Sequence, residues 1–326
     1  KEKLPQINMG MYYGEESGLP LYYRIYPGSI SDKTHLKYMV ADNAFINGKR
    51  TRFVMDRGFY SRENLQYLTE SGYRFVIALP DSLKYCRELV SEHGAEIVNH
   101  SEFLLGQGLP YGKSYESMAL GFRMKIHLYY DPEKALRETS ALYALLNAQE
   151  NDLKSMEEPP DKSLHYDKYF YINRSKDGKL GYIRNFKAID EALKYCGFFL
   201  IAETDFKKTT AEILDIYRCR DTIEKSFDDL KNGLDMKRLH IHTSETAQGK
   251  VFVSFLSLIV RAYLLRQLKD YMRKNGLTLK KILLELDKIK TIQYPGSDEE
   301  RLLNPLTKRQ REIYELLEIP VPGCIG

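Results

Sequence analysis

Two thirds of the way along the chain, Tyr217, Arg220, Glu224 and Lys231 bring a phenol, two cations and a carboxylate into one short stretch. If residues Asp215 to Lys231 form one helix, at about 100° per residue, the four fall within a sector of roughly 60°. Ile216, Ile223, Phe227, Leu230 and Leu234 fall within a neighbouring sector of similar width, which must face a core. A carboxylate flanked by two cations and a phenol, lined up beside a buried face, is unusual for a solvated surface. It equally fits a helix laced by i, i+4 ion pairs. The second reactive candidate is Asp56, which ends the apolar run Phe53-Val54-Met55 and precedes Arg57-Gly58. A carboxylate at the end of a buried strand lies where α/β sheets place ligands, although a turn or helix cap would also use one there.

Several elements must position these groups. Residues 7–13 and 20–27 read as two strands joined by Gly14-Glu15-Glu16-Ser17-Gly18, a hairpin with a longer loop. A helix is expected from Lys33 to Phe45 with Asp32 as its cap, then the short strand ending at Asp56. Ser61 caps a further helix that stops at Gly72, and Tyr73 to Leu79 form another buried strand. Alternating Met118, Leu120, Phe122, Met124, Ile126 and Leu128 predict a strand with one buried face. A helix over 132–157 and a hairpin over 165–185, turning at Asp177-Gly178, follow. Phe198 to Ala202 returns to the buried-strand pattern, and the remainder is mostly helical. The expected fold is α/β: a mixed sheet with helices, interrupted by a β-rich insertion, with a helical C-terminal region. Its segments are 1–80, the inserted 81–197, 198–245 and 246–326.

The apolar share of 43% and charged share of 29% are those of a soluble globular chain. Cys86, Cys196, Cys219 and Cys324 are widely spaced and contain no C-x-x-C pair, which reads as reduced cytoplasmic thiols. Val251 to Val260 is too short to span a bilayer, which takes about 20 residues, and is expected to be a buried helix continuing through Leu264 and Leu265. Net charge is only +4, yet residues 231–290 carry 13 Lys and Arg against 5 Asp and Glu. Positive charge is thus concentrated where a polyanion would approach Glu224. His240-x-His242 has no neighbouring ligand to complete a zinc site, and Glu203 and Asp205 are reserve metal carboxylates just past a buried strand.

Together, the spacing Tyr-x2-Arg-x3-Glu-x6-Lys and the run Asp56-Arg57-Gly58-Phe59-Tyr60-Ser61 resemble a group of bacterial insertion-sequence transposases of the DDE type. Gly18-Leu19-Pro20-Leu21-Tyr22-Tyr23-Arg24, Pro27-Gly28-Ser29-Ile30-Ser31-Asp32, Lys237 to Thr243 and Leu306 to Gln310 are also similar to that group. The resemblance implies an RNase H-like catalytic domain and two Mg²⁺ or Mn²⁺ ions. It implies that Asp56 and Glu224 are catalytic metal carboxylates, and that Tyr217, Arg220 and Lys231 bind DNA. The partners implied are double-stranded DNA, as terminal inverted repeats and target, and a second copy of the chain in a homodimer, with no membrane.

The resemblance also places the family's first catalytic Asp upstream of Lys1. None of Glu2, Glu15, Glu16 or Asp32 stands in for it. The expectation is a truncated transposase whose 326 residues do not join strands unaided, because two carboxylates hold a metal pair poorly. A non-catalytic DNA-binding remnant, or another RNase H-like nuclease, is the alternative at this point.

Overall fold

A computed structural model describes residues 7–43, 51–106, 110–156, 158, 160–161, 165–174, 180–233, 243–293 and 301–321. The chain forms two compact units, one of Lys1–Gly28 with Asp221–Gly326, the other Ser29–Arg220.

The first unit opens with the expected hairpin. β1 (Ile7–Tyr13) and β2 (Pro20–Pro27) pair antiparallel from Ile7 opposite Pro27 to Tyr12 opposite Tyr22, and the register slips at Tyr13. Gly18 holds φ at +62°, a conformation that costs glycine little, and its N–H closes the loop on the Gly14 carbonyl at 2.8 Å.

The second unit is built around one sheet. α1 (Asp32–Asn43) starts one residue earlier than expected, so Ser31 stands at the cap and its Oγ accepts the Thr34 N–H at 3.4 Å. β3 (Arg52–Met55), α2 (Arg62–Glu70) and β4 (Arg74–Ala78) form a parallel crossover, and Ser61 caps α2 through the Asn64 N–H. α3 (Lys84–Asn99), β5 (Tyr111–Ser117), β6 (Met124–Tyr130) and α4 (Pro132–Ser155) follow. β7 (Phe170–Arg174) and β8 (Leu180–Arg184) form a separate antiparallel ribbon, with its Asp177-Gly178 turn outside the described residues. α5 (Phe186–Lys194), β9 (Phe198–Glu203) and α6 (Thr210–Arg218) complete the unit. The sheet runs β3-β4-β9-β6-β5, parallel only at β3–β4.

This is the mixed α/β fold expected of an RNase H-like chain, with two local corrections. The inserted segment was expected to be β-rich, and all its described strand pairings are antiparallel, yet α3, α4 and α5 fill more of it than strands do. Its strand at 118–128 was expected to bury one face, but β6 begins only at Met124 and is buried on both faces from Ile126 to Tyr129. α3 packs against β6, and Tyr129 of β6 packs with Ile213 and Leu214 of α6, so helices cover the strand's faces. Two cores result. Val76, Tyr129, Ile201, Ile213 and Leu214 seal α6 onto the sheet. Leu146, Leu153, Tyr166, Tyr169, Phe170 and Ile189 join α4, the ribbon and α5.

The first unit resumes at α7 (Asp221–Asp228), a π-helical turn (Asp229–Gly233) and α8 (Ser244–Gln267). α9 (Lys269–Asn275) and α10 (Leu279–Leu286) precede a two-stranded pair, β10 (Thr291–Gln293) with β11 (Arg301–Leu303), and α11 (Lys308–Leu316). Leu268, Leu279, Ile282, Ile313 and Leu317 form their core. The Leu306–Gln310 motif owes its pattern to a capping box: Thr307 Oγ1 accepts the Gln310 N–H at 3.2 Å, and Gln310 Oε1 accepts the Thr307 N–H at 2.9 Å.

The apolar run at 251–260 is helical as expected, but it is not buried all round. Val251, Ser254, Phe255 and Leu258, at helical spacing, form the buried face of α8, with Phe255 against Tyr23 of β2. Phe252, Val253 and Val260 are each more than half exposed. By length and composition alone, α8 is apolar enough to cross a membrane.

Candidate active site

Asp56 follows the last residue of β3 and caps the 3-10 turn Arg57–Phe59, its Oδ1 accepting the Arg57 N–H at 2.7 Å. The same oxygen receives Arg220 Nη1 at 2.7 Å and the Tyr217 hydroxyl at 3.4 Å. The Arg220 guanidinium stacks on the Tyr217 ring, 4.9 Å from its centroid. Since all three bonds converge on Oδ1, the carboxylate keeps Oδ2 outside this set, on a side chain that is 50% exposed.

α6 sets this geometry. A capping box fixes its start, with the Thr209 side chain accepting the Glu212 N–H and the Glu212 carboxylate accepting the Thr209 N–H. Ile213 and Leu214 then enter the core beneath the sheet. Tyr217 follows one turn after Ile213, half-buried against the same core, which carries its hydroxyl to the end of β3.

The single helix expected across Asp215–Lys231 is interrupted. α6 ends at Arg218 and α7 begins at Asp221. Between them the Arg220 N–H bonds the Tyr217 carbonyl at 3.2 Å, an i to i−3 closure that tightens the turn. The regular 100° step therefore does not run from Arg220 into Glu224. Tyr217 and Arg220 belong to one compact unit with Asp56, while Glu224 and Lys231 belong to the other.

Within that other unit, Glu224 is an exposed residue of α7, whose Ser226 is buried, and Leu230 is buried on the π-helical turn that follows. Lys231 is exposed on that turn. The turn is held by Arg261 of α8, whose Nη2 donates to Asp229 Oδ1 at 2.7 Å, and by Asn232 Nδ2 bonding Asp228 at 2.6 Å. Tyr13 of β1 faces the same place: burial pushes its phenol up to about 12, with the Ser226 hydroxyl opposing and the Asp229 charge adding. Leu234 and the stretch from Lys237 to His242, with His240-x-His242, lie outside the described residues.

Glu203 and Asp205 prove to be committed to the fold. Glu203, fully buried, accepts the N–H groups of Asp205 and Phe206 and faces His127 Nε2 at 3.7 Å. Burial raises its carboxyl, but the His127 ring and the two amides outweigh that and hold it below the ordinary value. These bonds fix Phe206 at φ +58°, where few side chains settle. Asp205 caps no helix, since Thr209 does that. Instead it receives Arg52 at 3.4 Å and Arg74 at 2.5 Å. No short-range spacing signals this Arg52–Arg74–Asp205 cluster, because β3, β4 and the turn after β9 contribute one part each.

Among the described residues no group of three or more His, Cys, Asp or Glu gathers as a metal site. A family model for the transposase DDE domain matches residues 1–260. Comparison with curated proteins finds no match.

Proposed function

Because the chain belongs to the transposase DDE-domain family, we propose that it acts on double-stranded DNA as an insertion-sequence transposase. In this reading Asp56 and Glu224 supply metal carboxylates, and Tyr217, Arg220 and Lys231 supply contacts to the phosphate backbone. The observation that carries the reading is the convergence of Tyr217 and Arg220 on Asp56 Oδ1, joining residues some 160 positions apart in sequence. Tyr217 and Arg220 come from the spacing motif, and Asp56 opens the separate run Asp56 to Ser61.

The donor set suits Mg²⁺ or Mn²⁺. Both are hard ions that take one or two carboxylates and complete their shell with water and substrate phosphate. Asp56 retains Oδ2 for such an ion while Oδ1 serves Arg57, Tyr217 and Arg220. When bound, the metal supplies Lewis-acid activation of the phosphodiester and of the attacking oxygen. The protein groups do the rest. Arg220 offers a planar fork that can pass from the carboxylate to a phosphate, Tyr217 keeps that fork stacked, and Lys231 adds a point charge. The reaction proposed is hydrolysis and strand transfer at terminal inverted repeats, by a homodimer.

Metal binding tests this without relying on turnover. Mn²⁺ titrated into the chain and followed by electron paramagnetic resonance should bind, and Asp56→Asn and Glu224→Gln should each weaken it about tenfold or more, the effect of removing a metal ligand's support. Both variants should bind duplex DNA as well as the parent. Mn²⁺ affinity unchanged in either variant would remove that residue from the site. With only these two carboxylates assigned, the 326 residues alone are expected to bind inverted-repeat duplex without joining strands. Mg²⁺-dependent nicking would overturn that expectation.

A further inference from the structure

We propose that Arg261 of α8 is a positioning residue for the site: through Asp229 it holds the π-helical turn that aims Lys231 at a DNA phosphate. The inference rests on the DNA-acting reading above and adds a residue to it. Tyr13, Ser226, Asp229, Lys231 and Arg261 all lie in the same compact unit.

Arg261 stands at an apolar position of its helix. Val251, Ser254, Phe255 and Leu258 form the buried face of α8, and Arg261 comes three residues after Leu258 on that same face. A cation set there is costly unless a partner is brought to it. The partner is Asp229, the first residue of the π-helical turn. Arg261 Nη2 donates to Asp229 Oδ1 at 2.7 Å, and both side chains are part-buried. Arg261 Nε is buried with no acceptor among the described residues, a cost that argues against a purely stabilising role. Other groups close around the pair. Tyr13 of β1 brings its buried hydroxyl beside Ser226 and Asp229. A Cβ added at Gly233 would lie 3.7 Å from both Arg261 Cζ and Asp229 Oδ1, so the end of the turn sits over the ion pair.

The turn decides where Lys231 points. In an unbroken α-helix, residues seven apart such as Glu224 and Lys231 lie nearly one above the other. A π-helical turn bonds i to i+5, so each of its residues advances by less than the α-helical step. The direction of Lys231 relative to Glu224 therefore depends on the turn over Asp229–Gly233 being kept. Such turns are rare and gather at functional sites. Asn232 Nδ2 bonds Asp228 within the same stretch of chain, whereas Arg261 ties the turn to a different helix. Lys231, two residues after the anchored Asp229, is exposed and carries its charge outward.

The test uses the full chain and a fluorescently labelled duplex, with affinity read by anisotropy across a salt series and folding checked by a thermal melt. Lys231→Ala should flatten the log–log salt dependence by about 0.9, the effect of one phosphate left without its lysine. Arg261→Gln should weaken binding and flatten the slope by a like amount, and should change neither further when Lys231 is already alanine. Asp229→Asn leaves Arg261 in place and removes a negative charge, which by charge alone would tighten binding. Positioning predicts the reverse: weaker binding with the flattened slope. Arg261→Lys keeps a cation within reach of Asp229 and should retain most of the parent's affinity. If Arg261→Gln weakens binding equally in the Lys231→Ala background, Arg261 touches the DNA itself and the proposal is wrong. If Arg261→Gln and Asp229→Asn melt earlier but keep the parent's affinity and slope, the pair serves stability alone and the proposal is equally wrong. In both cases the DNA-acting reading stands. If the parent binds no duplex, or Lys231→Ala binds as the parent does, that reading or the place of Lys231 in it fails, and the proposal with it.

Discussion

Asp56 Oδ1 is shared by a backbone N–H, a guanidinium and a phenol, so its charge is partly spent before any substrate arrives. Removing the cation should make the carboxylate a better metal ligand. Two unit charges about 4 Å apart interact by ~1 kcal/mol in water. Arg220→Ala is therefore expected to tighten Mn²⁺ binding at least ~5-fold while weakening duplex affinity. A loss of Mn²⁺ affinity in that variant would show that Arg220 orients Asp56 and does not compete with the ion. Tyr217→Phe, which keeps the ring under the guanidinium and removes the long 3.4 Å bond, should change either property little. Sequence spacing brought out Tyr217 and Arg220, with Glu224 and Lys231, because charge and helical period are local properties. It gave no sign of Arg52, Arg74 and Asp205, which the sheet brings together from two strands and the turn after a third.

The strength of the elements lies in a few buried contacts. The turn from β9 to α6 depends on Glu203, and Glu203→Ala would leave the amides of Asp205 and Phe206 without their acceptor and remove the carboxylate that the His127 ring faces. A cost of about 3 kcal/mol in urea unfolding is expected. Because the native carboxyl titrates below its ordinary value, its contribution is complete above about pH 4.3 and fades as the pH falls through the native value. Glu203→Gln should accordingly flatten the acid limb of the stability–pH curve. An unchanged limb would mean that other carboxylates set it. Helix α8 offers a separate contrast between its faces. Leu258→Ala should cost about 2–5 kcal/mol as a core truncation, whereas Val260→Lys, on the exposed face, should stay within about 0.5 kcal/mol. Equal losses would restore the all-round burial expected from the apolar run.

At the scale of the molecule, the chain's halves are interleaved: Ser29–Arg220 folds as one unit between two segments that form the other. Cys86 in α3 reports on the inner unit, since burial first, and Asp81 next, push its thiol up to about 12. It should resist a maleimide until urea opens that unit, while Cys219, exposed at the junction of α6 and α7, reacts at once. Early labelling of Cys86 would mean that α3 opens on its own. Legible in the residues alone were the hairpin, the strand that ends before Asp56 and the crossover after it, most helix starts and the family, because turns, caps and side-chain periods are written over a few neighbouring residues. The motif over 215–231 announced its residue types in the same way. Only tertiary structure decided that this motif is broken at Cys219–Arg220, that β6 lies inside the sheet, and that one face of α8 meets water. In each case the outcome depends on which distant element packs alongside, and no local pattern encodes that neighbour.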